Sequence, residues 1–234
     1  MPYKPNDVQV KILGVSGSPR KGVTDYLTQM ALEEAAKVPG VTTEFLPLRT
    51  KHIEHCIQCE SCLKLTPGEK YEHYCRPFHD DMDELMKYWL EFDGYIVASP
   101  VYDMNVTPML NIFFNRFRPL WRCYRGIHQN KVGGSISIGG APPPPAGAPR
   151  HGGQETTVAM INNFFLANEI VVTGGPAGNY CGACVWSKDK LPKDFDDPIG
   201  VEKVLGVGRR VAEVAKIMKA GRDVVGDARP EWEI

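Results

Sequence analysis

Nowhere does this sequence run for about 18 consecutive apolar residues, the length a helix needs to cross a bilayer, so no membrane partner is expected. Its opening residues, Met1 to Asp7, lack the apolar stretch of a secretory leader, and a cytoplasmic location is the matching expectation. Lys and Arg are not concentrated into a stripe, and 27 basic against 28 acidic residues leave a formal net charge of −1. That balance argues against nucleic acid as a partner. Internal repeats and domain linkers are absent, so 234 residues read as one domain, 1–234, long enough to bury a sizeable core. Two nucleotide signatures are also missing. There is no G-x-G-x-x-G fingerprint, and the one P-loop-like glycine pair, Gly17 and Gly22, is followed by Val23 where that motif needs lysine.

What is present is an alternation of strand and helix. Val8 to Val15 is short, apolar and turn-bounded, the pattern of a buried parallel strand. Leu27, Met30, Ala31, Ala35 and Val38 then recur at helical spacing until Pro39-Gly40 stops them. A second strand is expected over Val41–Leu48. A helix stripe follows at Met82, Leu85, Met86, Trp89 and Leu90, with Asp80, Asp81 and Asp83 at the dipole-favoured end. Tyr95–Ala98 reads as a third strand and Thr107-Pro108 as the start of a helix to about Trp121. Val132–Ile138, a helix over 154–167, a strand Ile170–Thr173, a long loop 174–199 and a helix Val201–Lys219 complete the order, with 221–234 as a tail. Five alternations predict an α/β fold, a doubly wound five-stranded parallel sheet with helices on both faces. Ligands then belong on the edge where the loops after the strands gather.

Two of those loops carry chemistry. Between the first strand and helix, Ser16, Gly17, Ser18, Pro19, Arg20, Lys21, Gly22, Val23 and Thr24 offer backbone N–H groups, hydroxyls and a guanidinium to an anion. A plain strand-to-helix turn would use similar residues. After the second strand, the segment 52–76 holds Cys56-x2-Cys59-x2-Cys62 and, twelve residues on, Cys75. Four cysteines so spaced suit an iron–sulfur cluster, each iron taking one thiolate. Zinc, borrowing one of His52, His55, His73 or His79, and no metal at all remain open on spacing alone. Cys181 and Cys184 form a second C-x-x-C, read as unligated thiols, and Cys123 reads as a packed core thiol.

Four blocks, in order, carry a resemblance. Gly17-Ser18-Pro19-Arg20-Lys21-Gly22-x-Thr24 resembles the FMN phosphate loop of the NADPH-dependent FMN reductase family in the flavodoxin-like superfamily, with Val23 in place of the usual Asn. Ser99-Pro100-Val101-Tyr102 with Thr107-Pro108-x-Leu110-x-x-Phe113-x-x-Arg116, then Gly152-Gly153-Gln154-Glu155-Thr156-Thr157, then Leu205-Gly206-x-Gly208-Arg209-Arg210-Val211-Ala212 are similar to later blocks of that family. The resemblance implies a flavodoxin-like fold and FMN. The flavin would be held by 16–24, by Pro100, Val101, Tyr102, Asp103, Met104 and Asn105, and by Gly139 and Gly140, whose missing side chains admit the ring. The cysteine segment is similar to that of the iron-sulfur flavoprotein branch, which implies a [4Fe–4S] cluster on Cys56, Cys59, Cys62 and Cys75. The Lys64–Tyr74 stretch is longer than usual in that branch.

An FMN-dependent oxidoreductase passing electrons between FMN and the cluster is therefore expected, with no catalytic acid–base side chain. A NAD(P)H-dependent FMN or quinone reductase without a cluster and a flavodoxin-like electron carrier are the alternatives. The partner would be a redox protein or a small-molecule electron donor or acceptor, NAD(P)H among them. The branch also implies a homodimer or homotetramer; the Pro-rich 142–149 run with Arg150 and His151 is the stretch expected at such an interface.

Overall fold

The structure is a computed structural model that describes residues 7–71, 73–140, 152–176 and 178–226. β1 (Val10–Ser16), β3 (Gly94–Pro100) and β4 (Val132–Gly139) are buried along most of their length, as their near-continuous apolar and small residues require of central parallel strands. β2 (Val41–Pro47) lies beside β1, and the order is β2-β1-β3-β4-β5, all parallel. Helices α1 (Val23–Ala36) and α6 (Pro198–Val225) cover one face over a core that includes Ile12, Leu27, Ile96, Ile136 and Val211. On the other face lie α2 (Met82–Leu90), α3 (Pro108–Asn115), α4 (Arg118–Cys123) and α5 (Gln154–Ala167), around Trp89 stacked on Tyr95 at 3.7 Å between ring centroids. No helix among the described residues is long and apolar enough to cross a membrane.

Three expectations need correction. The sheet has six strands, because the stretch read as loop 174–199 contains β6 (Ala183–Trp186). β5 (Val171–Val172) pairs with the start of β4 and β6 with its end, so the two occupy one edge in succession, separated by the excursion 173–182. Elements of two and four residues carry too little periodicity to be seen in sequence. The helix expected from Thr107 to Trp121 breaks at Arg116–Phe117, since Pro119 lacks the N–H that would continue the ladder and its ring crowds the carbonyl four residues back. The last helix is longer than expected at both ends. Asp197 caps it by accepting from Gly200 N–H at 3.1 Å, Pro198 opens it, and 221–225 continue it. Residues 227–234 of the expected tail, and 142–149, Arg150 and His151 of the expected interface, lie outside the described residues.

Gly206 and Gly208 blur the helical signal for a packing reason. A Cβ on Gly208 would run into the Ala31 carbonyl, so α6 lies directly on the α1 backbone. The loops after β1 and β3 leave the sheet in opposite directions, because the chain turns outward from β1 to β2 and then crosses back to β3. Such a reversal opens a crevice at the carboxyl ends of the strands.

Candidate functional site

In that crevice is an open cleft of about 430 Å³, within the range of small-molecule sites. Ser18, Arg20, Lys21, Gly22, Val23 and Thr24 line it from the first loop, Pro100, Val101 and Tyr102 from the third, and Gly140 from the fourth. The cleft thus gathers ten of the residues expected at a flavin. Gly22 stands at the N-cap of α1 and no side chain caps it, so the first-turn N–H groups are left for an anion in the cleft. Ser18 shapes the loop by donating to the Arg20 carbonyl at 2.8 Å while accepting from Arg20 N–H at 3.2 Å. The donor set and the uncapped helix end fit a phosphate.

Other expected positions play different parts. Ser16 is fully buried, and its hydroxyl donates to Asp25 Oδ1 at 2.7 Å behind the loop instead of facing the cleft. Asp25 in turn pairs with Arg49 at 2.6 Å. Pro19 is outside the lining. Asp103, Met104 and Asn105 form a tight turn beyond the cleft, closed by Tyr102 N–H to the Asn105 carbonyl and Asn105 N–H to the Tyr102 carbonyl, both at 2.9 Å. Val101 N–H is likewise given to the Ile138 carbonyl, so the backbone donors of Val101, Tyr102 and Asn105 are all engaged within the protein. Thr156 and Thr157 at the start of α5 hold this turn through the Met104 and Asn105 carbonyls, at 2.8 and 3.2 Å. A Cβ on Gly139 would run into the Gln154 amide, so packing against α5 also requires glycine there. The far wall was missed by sequence reading: Ser187, Asp189, Lys190 and Leu191 follow the unforeseen β6. Asp189 lies 3.9 Å from Arg20 across the opening.

The four cysteines come together at a second, smaller cavity. Cys56, Cys59, Cys62 and Cys75 all line it, with Phe78, Asn115, Arg116, Arg118 and Pro119. Two strands of the loop are pinned there by the acids at the start of α2. Asp80 Oδ2 accepts from Glu54 N–H and Asp81 Oδ2 from His52 N–H, each at 2.8 Å, while Asp83 Oδ1 accepts from Tyr74 N–H at 2.9 Å and Cys75 N–H at 3.4 Å. These carboxylates therefore hold the cysteine segment as well as complementing the helix dipole. Burial raises Asp80, but hydrogen bonds from Arg116 and from backbone N–H groups outweigh it and hold the carboxyl below its ordinary range. The Ser61 hydroxyl, 3.1 Å away, lowers the Cys59 thiol. Burial raises Cys62 and Cys75, offset in part by Arg118 and Arg116 respectively. Cys123, buried as expected, is pushed up to about 11 by burial.

Among the described residues, no three His, Cys, Asp or Glu side chains converge as a single metal ion would need. The four thiols share the lining of one space, and four thiolates are the donor set that a [4Fe–4S] cluster takes. The free space is about 20 Å³, roughly one water. Cys56 and Cys59 are exposed on an irregular stretch. His73 contacts Asp83 at 3.2 Å and packs edge-on against His79, away from the cavity lining. Cys181 is exposed and Cys184 lies on β6 opposite Ser137.

Comparison with known proteins decides the family. Residues 10–179 match the model of the NADPH-dependent FMN reductases. The chain belongs to this family. Within it, the chain falls in the iron-sulfur flavoprotein branch: it is 40% identical over 214 residues to an iron-sulfur flavoprotein of Methanocaldococcus jannaschii, covering 90% of this chain and all of that one. It is 32% identical over 209 residues to an iron-sulfur flavoprotein of Archaeoglobus fulgidus, covering 89% and 98%. Among solved structures, a flavone reductase superposes with a TM-score of 0.59 at 23% identity over 88% of this chain and 63% of that one. A WrbA-like flavodoxin from Agrobacterium tumefaciens does so with 0.58 at 15% identity over 90% and 99%. These two establish the flavodoxin-like fold. As a member of the family this iron-sulfur flavoprotein relative is an FMN-dependent oxidoreductase that transfers electrons.

Proposed function

We propose that this protein passes electrons between FMN in the crevice cleft and a [4Fe–4S] cluster on Cys56, Cys59, Cys62 and Cys75. The observation that carries the reading is the meeting of all four cysteines at one cavity, although Cys75 comes from a separate turn after the Lys64–Tyr74 stretch. FMN accepts a hydride's two electrons and releases them singly, and a cluster carries one electron at a time. The chain's own residues bind and orient. The α1 N-terminus, Ser18, Arg20 and Thr24 face the phosphate, Val101 and Tyr102 flank the ring, and the 187–191 turn covers the opposite wall. Asp80, Asp81 and Asp83 keep the thiols in register. NAD(P)H is the small-molecule donor proposed, and the family's description names NADPH. A dimer or tetramer would bring further redox groups within reach, and the whole chain acts as one flavodoxin-like unit.

The deciding experiment is an anaerobic visible spectrum of purified protein with iron and acid-labile sulfide assayed on the same sample. Flavin bands over a broad thiolate–iron shoulder, with about four irons per chain, are expected. Flavin without iron would overturn the cluster and leave an FMN or quinone reductase; absence of flavin would overturn the reading of the cleft.

A further inference from the structure

Arg116 is the most deeply buried cation of the cysteine cavity, with its side chain 1% exposed. Its guanidinium is held from several sides. One terminal nitrogen donates to Asp80 Oδ2 and to the Glu54 carbonyl, both at 2.6 Å, and the other to Asp80 Oδ1 at 3.1 Å. The Phe78 ring lies 4.8 Å from the guanidinium carbon. Because Asp80 is also hydrogen-bonded to Glu54 and Met82 N–H groups, the fork has one orientation. That orientation leaves Nε–H buried with no protein acceptor among the described residues. A buried donor without a partner is costly, and charge adds to the cost. The donor belongs to a residue that lines a cavity of four thiols, whose sulfurs are acceptors.

We propose that Arg116 Nε–H is a hydrogen-bond donor to a sulfur of the cluster, and that Arg116 is thereby a positioning residue that sets the cluster's reduction potential. The inference rests on the cluster reading above. Adding one electron makes the cluster sulfurs more negative, so a fixed N–H donor favours the reduced form and raises the potential. Asp80 keeps the fork in place, and Arg118, 32% exposed and paired to Glu60 at 3.8 Å, supplies only a screened charge.

The test is an EPR-monitored anaerobic redox titration, with dithionite as the electron source, of wild type, Arg116→Lys and Arg118→Gln. Lysine keeps the charge and loses the planar fork. Arg116→Lys, with its iron retained, is expected to lower the reduced-to-oxidised ratio at a fixed potential about tenfold, roughly 59 mV for one electron, and Arg118→Gln to change it less than threefold. An unchanged midpoint in Arg116→Lys with four irons would overturn the inference and leave the cluster reading intact. Should Arg116→Lys lose iron, ENDOR of the reduced cluster in 15N-arginine-labelled Arg118→Gln decides. A 15N coupling supports the hydrogen bond, and its absence overturns it. Wild type without iron would overturn the cluster reading and this inference together.

Discussion

Arg20 stands at the open mouth of the cleft with a side chain 79% exposed, so its attraction for a phosphate is screened by water. Arg20→Ala is expected to weaken FMN binding about threefold to tenfold, the ~1 kcal/mol scale of exposed charge contacts, read from quenching of flavin fluorescence on titration. Cys75 is a sharper case. It lines the cavity on the turn fixed by Asp83 and is not among the residues lining the cleft. Cys75→Ala should lose most of its iron while FMN stoichiometry stays at one, measured on the same preparation. At this scale the sequence pointed to residues that the fold brings together: the four cysteines at one cavity, and Ser18, Arg20 to Thr24 and Pro100 to Tyr102 at the cleft. Ser16 lies behind the loop, where a serine at a strand end is equally able to support a buried carboxylate. Nothing local tells Ser16–Asp25 from Ser16–phosphate.

Among the elements, α1 and α6 show how backbone contact and charge share one interface. Gly208 lets the helices touch, and Gly208→Val should destabilise the fold by about 2–3 kcal/mol through overpacking, read as a lower urea midpoint with unchanged slope. Beside it, Glu34 accepts from Lys37 at 2.7 Å and from Arg209 Nε at 3.0 Å across the helix pair. Those two hydrogen bonds, Lys37's the larger, hold its carboxyl below the ordinary value of 4.5 despite burial. A depressed carboxylate contributes stability above its unfolded pKa and loses it as pH falls through the folded one. Thermal stability should therefore drop on acidification below about pH 4.5, and Glu34→Gln should flatten that limb, as melting at a series of pH values would show. Helices α1 and α2 were legible from their periodicity. β6 and the α3–α4 break were not: four residues beside β4 have no period, and a proline's effect depends on which carbonyl lies behind it.

For the whole molecule, a ligand that binds only the folded chain shifts unfolding by mass action. FMN at 100 times its dissociation constant should add about 2.7 kcal/mol, visible as a concentration-dependent rise in Tm, and Cys75→Ala should keep most of it. Cleft and cysteine cavity are separately lined, which is why the two binding events are expected to separate.

Order, element type and the chemistry of two loops were determined by the sequence itself, because hydrophobic period, turn residues and cysteine spacing are local properties. Only the tertiary structure decided which residues share a site. It placed Ser187 to Leu191 against the first loop, Arg116 against the thiols and Gln154 against Gly139. These meetings depend on the crossing back from β2 to β3 and on the interrupted edge strand, which are set by packing over long chain separations. A residue's neighbours along the chain carry no record of them.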